Sequence, residues 1–307
     1  MLLNLASLKE FRTNLAEGRI YFLIDIFLNN RRAWRYRVPT LVSTKTATVE
    51  STSLSDEYVY SHFCGVASLD NSVYEKFRSC SQYKQILEHV SRSLGQQYLD
   101  MIITANNLSL KLVDLLADDI GSPFRYTYPG IGRVSPTQLR YAKVLSDLID
   151  FFGSLNNFTI AEVGVGYGGQ ASQICKSFDI SKYELADIPT VLQLASRYIE
   201  DRVPNAPLKL LEIESHTGGM YDLFISNYAF SELKRDVQEQ YFRNYVSKAK
   251  RGYVIYNDIT PPEWGSMNAE EFASRIPGAS IYSEQPKTGM KNQLIVWGHG
   301  NSNQVHF

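Results

Sequence analysis

Residues 158–187, FTIAEVGVGYGGQASQICKSFDISKYELAD, narrow what this chain can fold into more than any other stretch. Positions 158 to 163 form a short apolar run rich in β-branched residues, which reads as a strand buried on both faces. Gly164, Gly166, Gly168 and Gly169 follow at once. Without a Cβ they let the backbone turn sharply and approach a ligand. The helix that begins near Gly169 aims its unpaired N–H groups at that turn. Residues 183–187 then read as a second strand ending in Asp187, whose carboxylate can accept both hydroxyls of a ribose. A nucleotide-like ligand is the implication.

Two such ligands compete. Gly164-x-Gly166-x-x-Gly169, with Asp187 at a suitable distance, satisfies the dinucleotide fingerprint and points to an NAD-dependent oxidoreductase. Read from Glu162 instead, E-x-G-x-G-x-G resembles motif I of Rossmann-like S-adenosylmethionine (SAM) methyltransferases. An acid two residues before the first glycine suits a ligand with a cationic methionyl end and would repel a pyrophosphate.

The rest of the chain adds exclusions. With 307 residues it can bury a full core as one large domain or two smaller ones. A formal net charge of −1 argues against nucleic acid held by bulk electrostatics. Cys64, Cys80 and Cys175 make no C-x-x-C, which implies neither a disulfide framework nor a zinc site and fits a reducing cytoplasm. Residues 21–28 (YFLIDIFL) are too short to span a membrane and contain Asp25. Arg31, Arg32, Arg35 and Arg37 form a basic cluster that reads as a solvated helix end, with an anion site as the alternative. Residues 42–56 are rich in Ser and Thr and read as a loop.

From Ser81 to Ile102 apolar residues recur at helical spacing, a second stripe runs from Leu108 to Leu116, and residues 126–133 (YTYPGIGR) read as a turn-rich connector. His89 sits on the first stripe and reads as a packed interfacial histidine. Ser135-Pro136 supplies an N-cap and a proline for the helix leading into the glycine-rich strand. Residues 1–134 are therefore expected to form a mainly helical cap that supplies the acceptor pocket, and residues 135–307 a Rossmann-like domain. The cap is also the surface through which a homo-oligomer would form. After Asp187 come a helix to Arg202, strands at 208–213, 221–227 and 252–257, a helix opening at Ser231-Glu232, and a terminal antiparallel hairpin within 279–298. The expected fold is α/β, a seven-stranded sheet with the last strand antiparallel.

At this point the chain resembles a known family. GSP from Gly121, VSPTQLRY from Val134, the glycine-rich loop, LADIP from Leu185, SNYAFSE from Ser226 and the segment 292–298 are together similar to the bacterial sugar O-methyltransferase family, over roughly residues 60 to 300. Members are associated with surface-polysaccharide modification, so the resemblance implies SAM as donor and a sugar or glycan hydroxyl as acceptor. On that reading Glu162, Gly164, Gly166 and Gly168 hold the methionyl end, Asp187 the ribose, and Ile188, Asn227 and Tyr228 flank the adenine or the sulfur. Tyr167 and Tyr228 are candidate aromatic faces for the sulfonium. Glu232, Asp258 and His216, all at strand ends, are candidates for the group that takes the hydroxyl proton, with His299 a weaker fourth. Asp258 is also a candidate for a divalent metal with a neighbouring acid, although no spacing makes a metal motif. A non-catalytic SAM- or glycan-binding protein remains the third reading beside the methyltransferase and the oxidoreductase.

Overall fold

The computed structural model describes residues 58–84, 86–108, 111–211 and 219–299. All of them belong to the unit Glu50–Phe307. The arginine cluster at 31–37, the Ser/Thr-rich segment at 42–56 and the loop carrying His216 lie outside the described residues.

The chain enters through helix α1 (Tyr58–Leu69) and two one-turn helices (Asn71–Tyr74 and Ser81–Lys84). Helix α2 follows (Arg92–Ala105). The apolar period from Ser81 to Ile102 predicts one continuous helix, yet the chain breaks at 86–91 because the Ser91 hydroxyl accepts the Leu94 N–H and starts α2 afresh. Asn106, left-handed at φ 53°, ends α2. Helix α3 (Leu112–Leu116) leads to a small antiparallel hairpin, β1 (Tyr126–Tyr128) and β2 (Gly132–Val134), where the sequence suggests only a connector. Helix α4 (Pro136–Phe152) opens as expected, with Ser135 as N-cap and Pro136 in its first turn.

A βα alternation follows: β3 (Thr159–Val163), α5 (Gly169–Ser177), β4 (Lys182–Ala186), α6 (Pro189–Arg202), β5 (Leu208–Leu211), β6 (Leu223–Asn227), α7 (Arg235–Asn244), β7 (Gly252–Tyr256), a short α8 (Ala269–Ser274), β8 (Ser280–Ser283) and β9 (Gln293–Trp297). These strands form one seven-stranded sheet in the order β5-β4-β3-β6-β7-β9-β8. Strand β9 alone runs opposite to the other six. It is last in sequence, as expected, but it lies between β7 and β8 rather than at the sheet edge. The strand order reverses direction at β3, so the crevice between the C-terminal ends of β3, β4 and β6 is where a ligand has room to bind.

One face of the sheet packs against α4, α5, α6 and the helices of residues 58–134 in a single apolar cluster reaching from Tyr60 to Val296. The other face packs against α7 and α8 through Phe224, Tyr245, Phe272 and Trp297. Residues 58–134 thus share a core with the sheet. Helix α1 runs along α6, with the Ser61 and Thr190 hydroxyls 3.0 Å apart and the Tyr74 hydroxyl donating to Asp201 at 2.7 Å. Among the described residues no helix is long and apolar enough to cross a membrane.

Candidate functional site

The glycine-rich loop stands at the C-terminal end of β3. Gly164, Gly166 and Gly168 all take positive φ (76°, 53° and 84°), which an L side chain rarely adopts. Asp187, at the end of β4, holds the loop: one oxygen accepts the Val165 N–H and the other the Ile188 N–H, both at 2.8 Å. Asp187 and Ile188 are half-buried at the crevice rim. The loop glycines face the chain itself more than the sequence suggests. A Cβ at Gly164 would strike Ala229, one at Gly166 would come within 2.6 Å of Leu87 Cδ1, and one at Gly168 within 2.6 Å of Ile199 Cδ1. Gly169, at the start of α5, is covered by the Tyr141 ring.

Glu162 is 2% exposed, and its carboxylate accepts the Tyr183 hydroxyl at 2.7 Å. Burial pushes it up to about 8, the charge of Asp187 adding to the rise and the Tyr183 bond opposing it. The acid that appears in the sequence as a standing negative charge is therefore mostly protonated at neutral pH.

Tyr167 corrects an expectation. Its ring is fully buried among Phe77, Tyr83, Tyr141 and Tyr198, with the Arg78 guanidinium 4.7 Å from its centroid. The cation it stacks with belongs to the chain, so it packs the interior and offers no face to a sulfonium.

At the end of β6 the SNYAFSE segment is tied down on both sides. Ser226 Oγ donates to Val163 O and accepts from Phe230 N, both at 3.0 Å. Ser231 Oγ donates to Asn257 Oδ1 at 2.5 Å. Between these anchors Asn227 presents a buried Oδ1 with no hydrogen-bond partner among the described residues. Tyr228 holds φ +71°, a strained value for a tyrosine that the surrounding structure must impose. Its hydroxyl donates to Glu284, whose other oxygen accepts Thr288 N at 3.0 Å.

The proton-acceptor candidates separate. Glu232 ends a 3-10 turn three residues before α7, not in the helix's first turn as the sequence suggests, and accepts Asn257 Nδ2 at 2.7 Å. Asp258 follows β7 at the same sheet edge and is half-buried. His299 is a correction: it follows β9, which runs against the other strands, so it lies at the opposite edge, packed on Phe151 and Tyr282. Among the described residues no group of three or more His, Cys, Asp or Glu stands together as a metal would require.

Several residues at this edge escape a reading of the sequence. Tyr98, Arg140, Lys143, Tyr228, Tyr253 and Glu284 line one small cavity beside the ends of β6 and β7. His89, read as packed, is exposed, with its ring against the Ile86 backbone and beside Arg140. The loss of solvation there and the nearby Arg140 charge push its imidazole down to about 4. A cation one turn before Lys143 on a helix otherwise buried through its first ten residues was the available signal for Arg140.

No protein-family model matches the chain, and no curated protein matches it. Among solved structures, magnesium protoporphyrin IX methyltransferase from Synechocystis with bound SAM is similar at 14% identity and TM-score 0.41, covering 51% of this chain and 76% of that one. A Thermoplasma acidophilum protein is similar at 13% identity and TM-score 0.39, covering 65% and 98%. An rRNA methylase from Streptococcus thermophilus is similar at 13% identity and TM-score 0.39, covering 50% and 95%.

Proposed function

We propose that this protein is a SAM-dependent O-methyltransferase whose acceptor is a hydroxyl of a sugar or glycan. The observation that carries the donor is the Asn227 Oδ1, without a partner among the described residues, at the switch-point crevice beside a loop of positive-φ glycines that Asp187 holds. An ammonium group would satisfy that oxygen. Donor residues on this reading are Glu162, Gly164, Gly166 and Gly168 for the methionyl end, Asn227 for its ammonium, Asp187 for the ribose, and Ile188 and Tyr228 for the adenine or sulfur.

Bound SAM supplies an electrophilic methyl on a sulfonium. The chain's part is to hold the acceptor oxygen in line with that methyl, exclude water and receive a proton. Glu232, held by Asn257, and Asp258 both follow strands at this sheet edge, and on this reading one of them takes the proton. His216 remains a proposal from the sequence. The sugar is supported by the family resemblance of the SNYAFSE and VSPTQLRY segments.

Calorimetric titration with SAM, S-adenosylhomocysteine and NAD, repeated on Gly166→Val, tests the reading. Micromolar binding of the first two, lost in the variant, is expected, because the new side chain meets Leu87 at a left-handed φ. Binding of NAD alone would favour the oxidoreductase and end the methyltransferase reading.

A further inference from the structure

Arg140 and Lys143 stand one turn apart on α4 and line the same cavity. Lys143 is paired: its Nζ lies 2.6 Å from Asp147, which also accepts the Tyr253 hydroxyl at 2.6 Å. Arg140 is not. Its Nη2 donates to the Leu87 carbonyl at 3.4 Å, and its guanidinium lies 5.4 Å from the Tyr141 ring centroid. Among the described residues it has no carboxylate partner. The other groups around it are the phenols of Tyr98, Tyr141 and Tyr228, and His89. Glu284 faces the same cavity, but its oxygens are taken by the Tyr228 hydroxyl and by Thr288 N and Oγ1. A guanidinium in a crowded, half-buried cleft with no carboxylate on its fork leaves donors unused, and a bidentate anion is the group that planar fork fits.

The place of this charge says which ligand brings the anion. Along the sheet order β4-β3-β6-β7, the ribose acid Asp187 ends β4 and the glycine loop ends β3. Arg140 instead shares a cavity with Tyr228 after β6, Ile255 of β7 and Leu294 of β9. That is the side beyond the donor's reactive end, where an acceptor stands. We propose that Arg140 anchors a carboxylate or phosphate carried by the sugar acceptor, so that the substrate is a sugar acid or a phosphorylated sugar rather than a neutral one. The proposal rests on the methyltransferase reading for the word acceptor, while the anion site itself is tested independently of it.

The full chain is titrated with D-glucuronate, glucose 1-phosphate and glucose, with and without saturating S-adenosylhomocysteine. R140Q and R140K are carried through the same titrations after their melting curves are compared with the parent's. Both anionic sugars are expected to bind at least about tenfold more tightly than glucose, with the preference lost in R140Q and S-adenosylhomocysteine affinity unchanged. Should R140Q not fold, R140K decides, because a point charge in place of the fork weakens the carboxylate more than the phosphate. Unchanged affinities in R140K would then overturn the proposal. So would the absence of any preference for the anionic sugars, or a loss of S-adenosylhomocysteine binding in R140Q with the sugar preference intact, which would give Arg140 to the donor. Anion preference without any binding of S-adenosylhomocysteine would leave the site standing and remove the methyltransferase reading.

Discussion

Glu162 couples this site to pH. Its carboxyl titrates near 8 in the folded chain against an ordinary 4.5, so between these values the unfolded chain has released a proton that the folded chain still holds. The resulting stabilisation is complete below about 4.5 and is lost as pH rises through 8. Glu162→Gln removes that dependence: relative to the parent it gains about 1.4 kcal/mol per pH unit across the window, which urea unfolding at pH 5, 6.5 and 8 reads directly. A parallel pH dependence in the two proteins would show Glu162 ionised at neutral pH. A cation bound nearby favours the charged form, so SAM is expected to release a fraction of a proton on binding at pH 7 and S-adenosylhomocysteine less. Calorimetry in buffers of different ionisation enthalpy separates the two. None of this is visible in E-x-G-x-G-x-G, where Glu162 is one acid among glycines. Its protonation comes from burial, with the Asp187 charge adding to it, while the Tyr183 hydroxyl that a parallel strand brings beside it from the next βα unit works the other way.

The elements with strong local signals were legible: the capped α4, the β3–α5–β4 unit with its acid, the proline-led α6 and the terminal hairpin. Others were decided by tertiary contacts. The 86–91 break lies inside an unbroken apolar period, because Ser91 caps α2 and Leu87 comes to rest over Gly166. Helix α7 starts at Arg235, since the Ser231 hydroxyl that looks like a helix cap is bonded to Asn257 instead. The turn-like residues 126–134 pair into a hairpin, as Tyr128, 1% exposed, is pulled into the core under Gly95. Sequence periodicity carries no record of which neighbour arrives. One consequence is testable at this scale. Leu87 occupies space above the loop that a methionyl chain would need, so Leu87→Ala is expected to bind SAM roughly fivefold more tightly, about 1 kcal/mol of partly buried side chain no longer displaced. Titration calorimetry on the variant checks it. Weaker binding would make Leu87 part of the ligand's wall.

At the scale of the whole molecule, the helical residues and the sheet are joined by charge as well as by apolar packing. Arg78 is 0% exposed, with Nε 2.5 Å from Glu88 and a second nitrogen on Asp118. Asp118 also accepts Gln138 Nε2 of α4 at 2.7 Å and the Tyr198 hydroxyl of α6 at 2.8 Å, and Arg202 of α6 lies 3.6 Å away. Gln138 in turn accepts Gln173 Nε2 of α5 at 2.7 Å. Two cations and two carboxylates thus balance inside a network whose charged groups are all hydrogen-bonded, with the buried Gln173 Oε1 at its end left without a partner among the described residues. Such a network adds little net stability over apolar packing, but removing one member strands the others. Arg78→Met leaves Glu88 and Asp118 with Arg202 alone and is expected to lower unfolding stability by about 3–5 kcal/mol. How the loss appears matters as much as its size. With a core running continuously from Tyr60 to Val296, the variant should still unfold in one urea transition, shifted but equally steep, by tyrosine fluorescence and far-ultraviolet circular dichroism alike. Two separated transitions, with residues 58–134 released to limited proteolysis before the sheet, would instead make the helical region a domain of its own, divided from the sheet near residue 134.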